Sequence, residues 1–208
     1  MRGRFITLEG GEGAGKSTHI RLLADWLGAQ GREVVITREP GGTDGAESIR
    51  RLIVEGAVDR WDAVTETLLL NAARHDHVTR LIEPALARGA WVLCDRYVDS
   101  TLVYQGTAKG MALETLLQLH SLATGPLWPD LTLVLDLPPA IGLARAASRH
   151  GAETRFEAHD VGFHEALRRG FLDLAQRFAD RCAVVDASAP VEAVSAAIEA
   201  IVRERLSL

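Results

Sequence analysis

Cysteine is scarce in this chain of 208 residues, which holds only Cys94 and Cys182. Each sits in an apolar run, Trp91-Val92-Leu93-Cys94 and Cys182-Ala183-Val184-Val185. Both therefore read as small core hydrophobes rather than redox or metal groups. No uninterrupted apolar span reaches membrane length, and the N-terminus has no apolar signal region. A cytoplasmic protein with no membrane partner is the simplest reading. Runs of Lys or Arg are missing as well, and the formal net charge is −5. No global field favours nucleic acid, so any bound phosphate must meet locally concentrated positive charge. Internal repeats, low-complexity segments and long linkers are absent. With 47% hydrophobic residues, the length suits one globular domain over residues 1–208 with a sizeable core.

Against these absences stands one strong motif. Gly10-Gly11-Glu12-Gly13-Ala14-Gly15-Lys16-Ser17 fits G-x-x-x-x-G-K-[ST], and average residue usage puts a chance match on the order of 1%. Residues 5–8 before it read as an apolar strand. After it, Ile20, Leu22, Leu23, Trp26 and Leu27 recur near the helical period. Glycines let the backbone curl so that several N–H groups face one anion, and the following helix adds its positive dipole end. The stretch from Gly10 to Thr18 is thus a candidate nucleoside triphosphate site. Lys16 can reach the outer phosphates, and the Ser17 hydroxyl can ligate Mg²⁺.

Short apolar runs at residues 5–8, 33–37, 91–95, 131–136 and 183–186 alternate with helical patterns. This predicts an α/β fold of the P-loop NTPase type: a three-layer sandwich of about five parallel strands with helices on both faces. Ligands then lie beyond the carboxyl ends of the strands. The loop at 37–43 places Arg38 at a strand end, suited either to bidentate phosphate contact or to pairing with a surface carboxylate. In the next helix, one of Arg50 and Arg51 faces solvent. Residues 65–86 read as one long helix with Leu68, Leu69, Ala72, Ala73, Val78, Leu81 and Ile82 on its apolar side, and Arg74 placed to point into a pocket. His75 and His77 are two apart and share no helix face, which speaks against a metal site. Asp95 ends the third strand beside the phosphate loop, the usual place for a carboxylate that orients Mg²⁺. Arg96 follows where a second phosphate could be clamped. Ser100, Thr101, Tyr104 and Gln105 resemble a wall that reads a base and a sugar. Asp136 ends another strand, in either a functional or a structural role. Residues 145–157, polar and rich in arginine, read as a mobile flap that excludes water from a transferring phosphoryl group. Phe163, Leu167, Phe171, Leu174 and Phe178, then Val191, Val194, Ile198, Ile201 and Val202, form helical core stripes.

Residues 93–105 match the signature of the thymidylate kinases position by position, and residues 37–43 and 9–17 resemble that family's second hallmark and phosphate loop. The resemblance covers essentially the whole chain. It implies phosphoryl transfer from ATP to dTMP with Mg²⁺, in a homodimer packed through helices beside the sheet. It also implies that Arg38 and Arg96 hold the acceptor phosphate, Glu12 meets the 3′-hydroxyl, and Tyr104 crowds the place of a 2′-hydroxyl. Arg74, Gln105 and Thr101 would hydrogen-bond or flank the thymine, and the adenine-binding loop maps to 186–190. Two departures stand out. Leu70 occupies the position where many members place a stacking Phe, at a cost of about 1 kcal/mol. Gly13 stands where one branch carries a catalytic arginine, so Arg149 or Arg155 of the lid would supply it. Rival readings are a kinase for another nucleotide or small metabolite and a nucleotide-dependent regulatory module. The chain has no Asn-Lys-x-Asp guanine motif, and Arg96 rather than a catalytic Glu follows Asp95.

Overall fold

The structure, a computed structural model, describes residues 2–57, 59–147 and 160–208. Five strands, β1 (Phe5–Glu9), β2 (Val34–Arg38), β3 (Trp91–Asp95), β4 (Leu131–Asp136) and β5 (Cys182–Asp186), form one parallel sheet in the order β2-β3-β1-β4-β5. Ile6 lies opposite Leu93 on one side and Leu131 on the other. Side chains alternate across the sheet, as the two-residue strand period requires. Ile6, Leu8, Leu93, Leu131, Leu133 and Leu135 pack under α1 (Lys16–Ala29) and α9 (Val191–Leu206). Phe5, Val92, Cys94 and Val134 join the opposite core. That second layer holds α3 (Ala63–His77), α4 (Glu83–Ala87), α5 (Val98–Thr101), α6 (Leu113–Thr124) and α8 (Val161–Arg177). The remaining helices are α2 (Asp44–Val54) and α7 (Pro139–Ala147). The expected three-layer parallel architecture is therefore present. Both cysteines are buried and free, and among the described residues no helix is long and apolar enough to cross a membrane.

The predicted helix over 65–86 breaks into α3, a wide π turn (Val78–Ile82) and α4. Pro84 accounts for this, because it has no N–H to give to an α-helical ladder, and the wide turn carries the chain into α4. The expected apolar face also needs correction. Leu68 is 51% exposed and Ala72 is exposed, whereas Thr67, Asn71, Arg74 and His77 are buried. Of this polar stripe Arg74 reaches a cleft, while Thr67, Asn71 and His77 are hydrogen-bonded within the fold. Leu22, Leu52 and Val191, which the periodicity assigned inward, are likewise partly exposed. Residues 145–147 lie in the last turn of α7. The rest of the expected lid, with Arg149 and Arg155, lies outside the described residues.

Candidate active site

Every strand ends its chemistry at one edge. Gly15 (φ +90°) caps α1 without any side-chain bond, so the first helical N–H groups are left for a ligand. Gly13 (φ +69°) is needed for space too: a Cβ there would lie 2.0 Å from the Gly142 carbonyl of α7. Lys16, one of only two lysines in the chain, is buried and folds back on the loop, donating to Gly10 O at 3.1 Å and Gly11 O at 2.8 Å. Burial and the neighbouring Arg96 charge lower its pKa. The Ser17 hydroxyl donates to Asp95 Oδ2 at 2.9 Å. These residues share a cavity with Arg38, Glu39, Arg50 and Arg96.

A second cavity adjoins it through Glu12, Glu39, Arg50 and Arg96, and runs on to Leu70, Arg74, Ser100, Thr101, Tyr104 and Gln105. The last four come from α5 and the π-helical turn Leu102–Ala108, whose 100, 101, 104, 105 spacing sets them along one face. Arg96 thus stands at the junction of the two cavities. Its Nη2 donates to Glu12 Oε1 at 2.7 Å, and its guanidinium lies 5.2 Å from the Tyr104 ring centre. The Tyr104 hydroxyl donates to the same Glu12 oxygen at 3.1 Å. Burial works against the Glu12 charge, but Arg96, Lys16 and this hydroxyl hold its pKa down to about 2.

Arg74 is almost wholly buried. Its Nε donates to Glu39 Oε2 at 2.7 Å and its Nη2 to Thr101 Oγ1 at 2.9 Å, while Nη1 has no hydrogen-bond partner among the described residues. Gln105 Nε2 donates to Glu66 Oε1 at 2.8 Å, which leaves Gln105 Oε1 buried and unsatisfied. Buried polar atoms without partners are rare in native proteins. Here one donor and one acceptor of that kind belong to side chains lining the same cavity.

The remaining expected residues fall as follows. Arg38 lines the phosphate-loop cavity but pairs with Glu47, its Nη2 3.2 Å from both carboxylate oxygens. Arg50 turns inward and donates to Pro40 O at 2.5 Å, whereas Arg51 is exposed. Thr18 sits in the first turn of α1, its N–H bonded to Gly15 O. Asp136 is held bidentately by Arg168 at 2.7 and 2.9 Å. Asp186 accepts from Ser188 N at 2.9 Å, and Ala187 N donates to Asp136 O, fixing the 186–190 loop at the sheet edge. His77 bonds Thr37 and Glu39, whereas His75 bonds Ala123 O, so the two serve different neighbours. Sequence reasoning missed Glu39 and Glu66, the buried carboxylates that orient Arg74 and Gln105. Glu39 was adjacent to Arg38 inside a recognised motif. Glu66 had no signal beyond being an acidic residue one turn from Leu70.

This geometry agrees with what the chain is similar to. A sequence model described as thymidylate kinase matches residues 8–198. A thymidylate kinase from Caulobacter vibrioides is 55% identical over 207 residues, covering 100% of this chain and 99% of its own. One from Ruegeria pomeroyi is 50% identical over 205 residues, with 99% and 97% covered. A crystal structure of thymidylate kinase from Ehrlichia chaffeensis superposes with a TM-score of 0.80 at 30% identity, covering 97% of this chain and 100% of that one. On its phosphate loop, its two-cavity cleft and these full-length likenesses, the chain belongs to the thymidylate kinase family.

Proposed function

We propose that this protein transfers the γ-phosphoryl group of ATP in line to dTMP, giving dTDP and ADP. The observation that carries the reading is the pair of unsatisfied buried atoms, Arg74 Nη1 and Gln105 Oε1, in a cavity that meets the phosphate loop at Arg96. A thymine edge offers a carbonyl to accept from the first and an N3–H to donate to the second. The Gln105 orientation is fixed, because Glu66 accepts from its amide nitrogen. Leu70 and Thr101 flank that base, and Tyr104 and Glu12 meet the sugar.

The acceptor phosphate has a second pKa near about 6 and is mostly dianionic at neutral pH, so it needs no general base. The obstacle is charge repulsion, which Lys16, Arg38, Arg96 and a lid arginine (Arg149 or Arg155) offset around the transferring group. For Arg38 this requires exchanging Glu47 for phosphate, an accessible change for a half-exposed side chain. Ser17 and Asp95 offer a hydroxyl and a carboxylate oxygen side by side, a hard donor pair that suits Mg²⁺ when phosphates and waters complete its shell. When bound, the ion neutralises charge on the phosphate oxygens. The protein works in the cytoplasm as a homodimer, an assembly supported by apolar side chains exposed on α3 and α6.

An acceptor panel tests the substrate. With ATP and Mg²⁺, dTMP is expected to give the highest kcat/KM among dTMP, dUMP, UMP, AMP and shikimate. Preference for any other acceptor would refute the assignment.

A further inference from the structure

Glu9 ends β1 immediately before the phosphate loop and is fully buried. Phosphoryl transfer as described above gives it no task. A carboxyl group so placed is costly unless its oxygens are satisfied. Both reach across to the segment after β3: Oε1 accepts the Tyr97 backbone N–H at 2.7 Å, and Oε2 accepts the Ser100 hydroxyl at 2.6 Å.

Immediately before those two anchors the backbone is strained. Arg96 has φ +70°, and among the described residues only it and Ser207 at the C-terminus are non-glycines with positive φ. Such a conformation persists only where its surroundings over-determine it. Here the Arg96 N–H is bonded to Leu8 O at 3.0 Å and the next N–H to Glu9, so two successive amides are pinned to β1. The side chain is tied in as well. Arg96 Nη1 donates to Ser100 Oγ at 3.2 Å, the same hydroxyl that donates to Glu9. One buried carboxyl group therefore holds both the kink and, through Ser100, the guanidinium of the residue at the junction of the two cavities.

We propose that Glu9 is a positioning residue for phosphoryl transfer, locking Arg96 in its left-handed kink and aiming its guanidinium at the acceptor phosphate. The proposal rests on the reading of Arg96 as the phosphate clamp. A clamp already strained into place does not reorganise when the anion arrives, which is where preorganised sites gain rate.

Glu9→Gln and Glu9→Ala separate this role from simple packing. The glutamine amide can accept from Tyr97 N–H and donate to Ser100, so Glu9→Gln is expected to keep kcat within about threefold of wild type. Glu9→Ala loses both anchors. Misplacement by ~1 Å can cost 10²-fold, so its kcat is expected to fall about 100-fold and its KM for dTMP to rise, while KM for ATP stays within about threefold. Unchanged kinetics in the folded fraction of Glu9→Ala would overturn the proposal. Should the alanine variant not fold, Glu9→Asp, one methylene too short for both anchors, carries the same kinetic expectation. A crystal structure of Glu9→Ala (or Glu9→Asp) reads the lock without substrate. Arg96 is expected to leave positive φ or lose Glu12, and an unmoved Arg96 sinks the proposal even if dTMP is the true acceptor. Failure of the acceptor panel with an Arg96 that does shift would instead refute only the assigned substrate.

Discussion

Glu9 and Glu12 are three residues apart and respond to their surroundings in opposite senses. Burial and the nearby Asp99 charge push Glu9 up to about 8, against the pull of Ser100, Arg96 and Tyr97 N–H. Lys16, Arg74 and Arg181 are the other charges that feel it. Glu12 is held low by Arg96 and Lys16 despite burial. The signs for stability follow from proton counting. Between the ordinary carboxylate pKa and about 8 the folded chain keeps a proton at Glu9 that the unfolded chain has lost, so this group makes stability fall as pH rises. Glu12 does the reverse: its contribution is complete above the unfolded pKa and is lost as pH drops toward about 2. Glu9→Gln removes the first effect alone. Urea unfolding at pH 6 and pH 9 should show wild type losing roughly 2–3 kcal/mol more than Glu9→Gln over that interval. Parallel losses in the two proteins would contradict the raised pKa. Taking the difference between variants also cancels His120, which burial keeps neutral down to about pH 4.

At the scale of elements, α7 rests directly on the phosphate loop through two glycines. A Cβ on Gly13 would lie 2.0 Å from Gly142 O, and one on Gly142 would lie 2.2 Å from Glu12 O. Both clashes are with backbone, so neither can be relieved by a rotamer change. A side chain at position 13 therefore meets the backbone of α7 and fits only if the helix shifts. Gly142→Ala must push α7 off the loop. It is expected to cost roughly 1–3 kcal/mol of stability, as overpacking does, and to weaken ATP binding more than dTMP binding. Calorimetric titration with each nucleotide checks this, and equal weakening would speak against a local effect on the loop. None of this was legible in the sequence, where Gly142 is an unremarked residue in a helix. The elements themselves were legible: all five strands lie where continuous apolar runs put them, to within one residue at either end. The π turns were not, because they answer to Pro84 and to the cleft rather than to any periodicity. The site shows the same split. Lys16, Ser17, Asp95 and Arg96 announce themselves by spacing along the chain. Glu39 and Glu66 act only through residues distant in sequence.

For the molecule as a whole, the proposed homodimer would give the outward stripe on α3 a use. Periodicity marks Leu68 and Ala72 as apolar-face residues, and that face exists, but it points outward. Val64 (56% exposed) and Leu68 (51% exposed) line up one turn apart with exposed Ala72 and His75. His75 Nδ1 bonds Ala123 O of α6 at 2.7 Å, and the neighbouring Leu122 is 83% exposed. The stripe and Leu122 thus lie on two helices that pack together. Across α3 from that stripe, Leu70 and Arg74 line the cleft. Exposed leucines and a valine clustered across adjacent helices are the kind of surface that a second copy of the chain covers. Burial in a dimer would also brace α3 from behind, holding Arg74 against Glu39 while the base docks. Replacing Leu68 and Leu122 together by Asp is expected to give a monomer by sedimentation at micromolar concentration. Neither residue lines the cleft, so KM for dTMP should rise only through the loss of that bracing, with KM for ATP nearly unchanged. A variant that remains dimeric would move the interface elsewhere. A monomer with wild-type KM for dTMP would show that the cleft stands without its partner.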